Sequence, residues 1–370
     1  MKNDAHKILI KYRSDIGDIL DTESWNQNSF FNVFKESTKI IEERIRGKFK
    51  RFKEYELHFT YLENKTVNAF AFHEDNIDFV ALNYGTISSI FDYYYKLLSQ
   101  PDAFINVGKP SLFDISIHTE PVINKNLKQL NFYNSPSDID RQDFVFLLSY
   151  ISIMFVIYHE LGHHYNGHML FQNSLSGLYK QRMVDNKDMV LSPLDYQTIE
   201  MDADAHAVTQ CLIHIIELYK NRERFNDNNF FTYVNDYKEL LKIWMYSVQT
   251  LFLILGKDNI DKTNYHKAEY LPRRIRQSLN GSVACDVLEK VYPDIAKKMN
   301  LNKETLKELY IWSAVTAEKD YNSLYNLKVD TLEINNQLNN ETVEHTEKVL
   351  KNWQKLKKLL EPYSRLELAK

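Results

Sequence analysis

Apolar positions along this chain change their period several times, and each change marks an element. Between residues 24 and 46, Phe30, Phe31, Phe34, Ile41 and Ile45 recur at near-helical spacing, which predicts an amphipathic helix. Tyr55, Leu57, Phe59 and Tyr61 then alternate with polar residues, the period of a half-buried strand. Val67–Phe72 and Ile77–Leu82 read as two further strands around the polar turn His73-Glu74-Asp75-Asn76, and a helix over Thr86–Leu98 follows. Residues 101–136 carry Pro101, Gly108, Pro110, Pro121 and Pro136 and are expected to be irregular, with one strand at Phe113–Ile117.

Beyond this stretch the pattern is helical. Ser137, with Asp140 three residues on, resembles a capping box. The helix it opens is expected to reach Asn166, with Gly167 as its C-terminal cap. Residues 168–191 read as a connection with some helical character. Ser192-Pro193-Leu194-Asp195 combines a capping serine, proline at the first helical position and an acid at the third, opening a helix to Lys220. Further helices are expected over 230–255, after Pro272, after Asn280 and through 302–361. The pattern implies an α+β fold, predominantly helical, with a small twisted sheet packed on helices. Its expected parts are an N-terminal helical region (1–54), a core (55–280) and a C-terminal helical region (281–370).

Composition narrows the class. Of 370 residues, 44% are hydrophobic and 26% charged, the balance of a globular protein. A net charge of -4 without a basic stripe argues against nucleic-acid binding. Two distant cysteines, Cys211 and Cys285, make no disulfide framework and fit a reducing compartment. The N-terminus lacks the apolar run of a signal peptide, so a cytoplasmic location is expected. Phe144–Tyr158 is apolar but meets His159 and Glu160 short of the ~20 residues that span a bilayer. Leu251–Leu255 is shorter still. Both are expected to be buried helices, with no membrane insertion.

The chemistry lies in His159-Glu160-Leu161-Gly162-His163. On a helix, positions i and i+4 project from one face a turn apart. Two imidazoles so placed can bind one zinc ion, with Glu160 positioned to take a proton from the water that the metal activates. The five-residue pattern alone is weakly specific. Its place at the end of a very apolar helix adds weight, because burying such groups is costly unless they coordinate something. A third ligand on the same run would need glycine at 166 and histidine at 169, where the chain has Asn166 and Met169. A glutamate from a second helix is the alternative, and Glu200 can supply it, although a solvated acid near a helix start, favoured by the dipole, is the plainer reading of that residue. Asp204, at i+4 from Glu200, is placed to hydrogen-bond a ligand histidine, with His159 the expected partner. Asp202 lies about 200° around the helix and is expected to point elsewhere as a solvated acid. His164 reads as structural or exposed, His168 as a residue of the cleft rim, and His206 and His214 as core or surface.

These residues, followed by Gly167-His168 and then by Glu200 and Asp204 with Ala203 between them, resemble gluzincin metallopeptidases of the HtpX and CAAX-prenyl-protease group and their soluble relatives, the minigluzincins. Asn68-Ala69-Phe70-Ala71-Phe72, a turn, the strand Ile77–Leu82 and Gly85 before a helix resemble the hairpin that precedes the catalytic helix in that group. The resemblance covers about residues 55–280 and implies a zincin-like peptidase core there. It implies a Zn2+ cofactor on His159, His163 and Glu200. It also implies a protein or peptide substrate held along an edge strand near Asn68–Phe72 by β-augmentation. Without convincing spans, the membrane substrates of the group are not carried over, and soluble Lit-like bacterial proteases are a nearer comparison. In the group, a Pro/Arg-containing segment completes the site. Tyr265-His266 and Tyr270–Arg276 occupy that place here, which makes His266, Tyr270 and Arg273 the candidate oxyanion donors. A basic helix start paired with local acids is the plainer reading of the same segment.

The expected function is a zinc-dependent endopeptidase acting on an intracellular protein, with Glu160 as general base. The alternative is a metal-binding regulator or sensor on a peptidase scaffold with little or no hydrolysis. Separately, Val343, Leu350, Trp353, Leu356 and Leu360 form an apolar stripe that suits either a partner or the same chain.

Overall fold

The alternating segments become strands, and their pairing order positions everything else. The computed structural model describes residues 2–22, 30–109, 122–124, 129–131, 136–181, 191–224, 229–256, 271–327 and 340–369. Its sheet has the order β1-β3-β2, from β1 (Glu56–Leu62), β2 (Ala69–Glu74) and β3 (Ile77–Asn83). β1 runs parallel to β3, and β2 antiparallel to it. The β2–β3 turn narrows to Asp75 and Asn76, both at positive φ, the two-residue hairpin geometry that Asp and Asn tolerate.

β3 is buried along its whole length because both faces are covered. Ile77, Phe79 and Ala81 meet Ala5, Ile8, Leu9 and Ile16 of α1 (Lys2–Lys11) and α2 (Arg13–Ile16). Val80 and Leu82 join the main core. The segment after α2 closes the outer edge of β1, where the Leu20 amide donates to the Tyr61 carbonyl at 2.8 Å. Among the described residues the outer edge of β2 has no strand partner, and its residues are half-buried.

α3 (Phe30–Arg46) and α4 (Tyr84–Leu98) bury their predicted stripes, Phe31, Phe34, Ile41 and Ile45 on the first. A small hairpin, β4 (Val122–Asn124) with β5 (Gln129–Asn131), lies in the proline-rich stretch. The strand expected at Phe113–Ile117 falls outside the described residues. α5 (Ile139–Tyr165) is the hub, packed on the sheet, α4, α7 (Pro193–Lys220) and α8 (Tyr237–Leu255). It is long and apolar enough to cross a membrane, yet 89% of its apolar window is buried within the chain. Its polar groups find partners there. Ser152 Oγ lies 3.1 Å from the Ser247 carbonyl, and fully buried Arg141 donates to the carbonyls of Leu98, Gln100, Ala103 and Val107.

Several boundaries differ from expectation for local reasons. Asp138, not Ser137, caps α5, accepting from the Arg141 amide at 3.1 Å. The connection after Gly167 contains a regular helix, α6 (His168–Gln181). α8 starts at Tyr237 rather than 230, because Asp236 caps it and Glu239 reaches back to Asn235. The two short helices expected after Pro272 and Asn280 are one, α9 (Arg273–Val291), followed by α10 (Pro293–Lys298). Gly281 does not break α9. It passes under the Tyr310 ring, which a Cβ would meet at 2.9 Å.

α11 (Lys303–Leu324) and α12 (Asn340–Leu360) are the last helices described. On α12, Trp353, Leu356 and Leu360 pack against Phe171 and Ile199, whereas Val343 and Leu350 are exposed and the buried stripe passes through Val349 instead. The Ser192–Asp195 capping box and Pro193 stand at the start of α7 as expected. One apolar core runs from Leu20 to Tyr321, shared by all three sequence regions.

Candidate metal centre

The site is built where α5 and α7 come closest. A Cβ at Gly162 would stand 3.1 Å from the His206 Cβ and 3.3 Å from the Cα and carbonyl oxygen of Ala203. A glycine facing an alanine therefore sets the helix separation. Glu200, about one turn before Ala203, is carried over the face from which His159 and His163 project.

Three donor pairs define the geometry. His159 Nε2 lies 3.2 Å from His163 Nε2 and 3.2 Å from Glu200 Oε2, and His163 Nε2 lies 3.6 Å from Glu200 Oε1. Zinc held at about 2.0–2.1 Å by N and O ligands in a tetrahedron leaves those ligands about 3.3–3.4 Å apart. The observed separations bracket that edge. With a single donor atom from each residue, the group still lies within 4.8 Å, so a small turn of the carboxylate closes the set. Two imidazoles that can be neutral and one carboxylate make a donor set that could hold a metal ion.

Charge in the metal-free chain follows from burial and these contacts. Burial pulls the His159 imidazole down, but its hydrogen bonds to Asp204 and Glu200 outweigh that and raise it to about 10. Burial, reinforced by the charge on His159, holds His163 well below the ordinary histidine value. Of the two imidazoles, His159 thus carries the positive charge in the metal-free chain. Burial pushes Glu160 up to about 7, with His159 opposing and Glu200 adding to the shift. A bound dication would draw it back down.

Asp204 is fixed from two sides. Its Oδ1 lies 2.9 Å from His159 Nδ1 and accepts from Arg276 Nη2 at 2.8 Å, while Oδ2 accepts from Arg276 Nε at 2.7 Å. Burial raises this carboxyl, but Arg276 and then His159 hold it down at about 2. The sequence singled out Arg273 in this segment. The structure places Arg273 3.4 Å from Glu318 on α11 and brings Arg276, one turn further along α9, to Asp204. His266 and Tyr270 lie outside the described residues.

Two nearby residues, Asp202 and His168, take places that sequence did not give them, while His164, His206 and His214 take the structural and core places expected of them. Asp202, expected to be solvated, is buried and accepts from Asn166 Nδ2 at 2.6 Å. His168, expected at the cleft rim, is fully buried between His163 and Asp202. His164 is buried against the sheet, donating from Nε2 to the Phe79 carbonyl at 3.0 Å and facing Asp78 with Nδ1. Asp78 in turn meets His73 at 2.7 Å and pairs with buried Arg365. Its contacts with His164, then with His73 and Arg365, keep its carboxyl far below the usual range despite burial. His206 and His214 are held down to about 4 by burial, His214 beside the Tyr150 hydroxyl at 2.9 Å. The one available signal for His168 was Gly167, whose φ of 85° turns the chain back on itself. Nothing on α7 alone distinguishes Asp202 from a surface acid.

Comparisons with protein-family models, with curated proteins and with solved structures gave no match.

Proposed function

We propose that this chain is a zinc-dependent endopeptidase with a zincin-like core, acting on a protein substrate in the cytoplasm. The observation that carries the reading is the convergence of His159 Nε2, His163 Nε2 and the Glu200 carboxylate at separations of 3.2–3.6 Å. His159, His163 and Glu200 would hold the ion, which when bound supplies a Lewis acid that polarises a carbonyl and acidifies water.

Asp204 accepts from His159 Nδ1 and so leaves Nε2 free to act as a ligand. Glu160 takes the proton of the attacking water and returns it to the departing amine. A carboxyl near 7 in the metal-free site suits a group that must both accept and give a proton at neutral pH. The outer edge of β2, which has no strand partner among the described residues, suits an extended peptide that adds as a further strand near Asn68–Phe72. Arg276 is committed to Asp204 and reads as a positioning residue.

The test pairs metal analysis with a comparison of new protein N-termini in cells expressing wild type or Glu160→Gln. Stoichiometric zinc that is lost in Glu200→Ala, together with cleavages absent in Glu160→Gln, is the expected result. Zinc in the wild type without any cleavage would favour a metal-binding regulator, and no zinc at all would refute the site.

A further inference from the structure

Behind His163 runs a buried polar chain with no direct part in the hydrolysis. His163 Nδ1 lies 3.1 Å from His168 Nδ1, and His168 Nε2 lies 3.1 Å from Asp202 Oδ2. The same Asp202 oxygen accepts from Asn166 Nδ2 at 2.6 Å. His168 is fully buried, and Asp202 and Asn166 nearly so. Polar groups this deep are kept in place by the partners they find.

The order of donors along the chain follows from what each group can do. An ionised carboxylate only accepts, so the proton between Asp202 and His168 belongs to His168 Nε2. With one proton on its ring, His168 presents a bare Nδ1. A contact between two ring nitrogens needs one donor, so His163 Nδ1 carries the proton there. That leaves His163 Nε2 bare, and Nε2 is the atom that stands beside His159 Nε2 and the Glu200 carboxylate.

We infer that His168 and Asp202 are positioning residues that lock His163 into the tautomer whose Nε2 takes the metal. The inference rests on the metal-site reading above. The site is then backed twice from α7. Asp204 holds His159 directly, and Asp202, facing the other way, holds His163 through His168 on α6. Gly167 makes this geometry accessible. At φ 85° it returns the chain so that His168 lies against His163, and a Cβ there would meet the Tyr363–Ser364 backbone at 2.5–2.7 Å.

The test uses the full chain and zinc alone as probe, titrated against a chromophoric chelator. His168→Leu is expected to bind zinc about 10–100-fold more weakly than wild type. His168→Gln keeps the polarity, since its amide oxygen can accept from His163 and its NH2 can donate to Asp202, and should recover most of that loss. A role in folding alone would instead make the metal-free stabilities of the variants follow the same order as their affinities. In wild type labelled with 15N-histidine, the zinc form should show a proton on His163 Nδ1 and a 15N–15N coupling across to His168 Nδ1. This spectrum decides the matter if His168→Leu does not fold. Unchanged zinc affinity in His168→Leu, or a bare His163 Nδ1 in wild type, overturns the relay and leaves the metal site standing. Failure of wild type to bind zinc overturns the metal site itself, and the relay with it.

Discussion

Replacing Gly162 by alanine separates the stability of the fold from the geometry of the metal site. Two effects on stability oppose each other. In a helix interior, alanine is favoured over glycine by about 0.8–1.0 kcal/mol. Against this, the new Cβ would lie 3.1 Å from the His206 Cβ and 3.3 Å from the Cα and carbonyl oxygen of Ala203. The latter two are α7 backbone, which cannot turn aside as a side chain can, so the helices must part slightly. Overpacking of this kind costs about 1–3 kcal/mol. The net expectation is a change between nil and a loss of about 2 kcal/mol, read from urea denaturation of the metal-free protein. The proposed metal site is less tolerant. Ligand distances must hold to within about 0.2 Å, and Glu200 travels with α7 while both imidazoles stay with α5. Zinc affinity should fall about tenfold or more, equivalent to about 1.4 kcal/mol, in competition with a chelator. A Gly162→Ala protein that is about 1 kcal/mol more stable than wild type with unchanged zinc affinity would refute the reasoning.

Arg276→Met should destabilise the metal-free chain by about 3–5 kcal/mol, because it breaks a buried ion pair and leaves the Asp204 carboxylate with His159 alone. The Asp204 contribution in wild type is present above the ordinary carboxylate range and is lost as pH falls through about 2. The variant holds this carboxyl down less, so its thermal midpoint should fall less than that of wild type between about pH 4 and pH 2, and parallel acid limbs would count against the pairing. Zinc must displace the proton that His159 holds up to about 10 in the metal-free chain, so apparent affinity should rise about tenfold per pH unit from neutral towards that value. Calorimetry in buffers of different ionisation enthalpy should show about one proton released per zinc near neutrality, and a pH-independent affinity would contradict this. By the same shift, His159 stabilises the metal-free fold below about 6.5 and loses that effect as pH rises through about 10. Arg365→Met should cost about 3–5 kcal/mol in urea denaturation by leaving buried Asp78 without its arginine, and a loss below about 0.5 kcal/mol, the range of surface substitutions, would show the pair to be dispensable.

The parts of the fold that were legible are those whose cause lies within a few residues. The alternation of Tyr55, Leu57, Phe59 and Tyr61 announced β1, and Ser192, Pro193 and Asp195 announced the start of α7. Boundaries slipped where two local signals competed, as at Ser137 and Asp138, or where a glycine had a distant reason. The separate helix expected after Asn280 is part of α9, where Gly281 lies under the Tyr310 ring.

Sequence by itself determined the grouping of His159, Glu160 and His163 on one helix, and of Glu200 and Asp204 on another, because helical geometry alone places i and i+4 together. Only the tertiary structure decided how those helices are held and backed. Asp202 meets His168 across 34 residues and Arg276 meets Asp204 across 72, and no periodicity reports a partner so far away. A carboxylate on α7 carries the same local signature whether it faces water, an arginine or a histidine. Which one it meets depends on how the remaining helices fill the space around it.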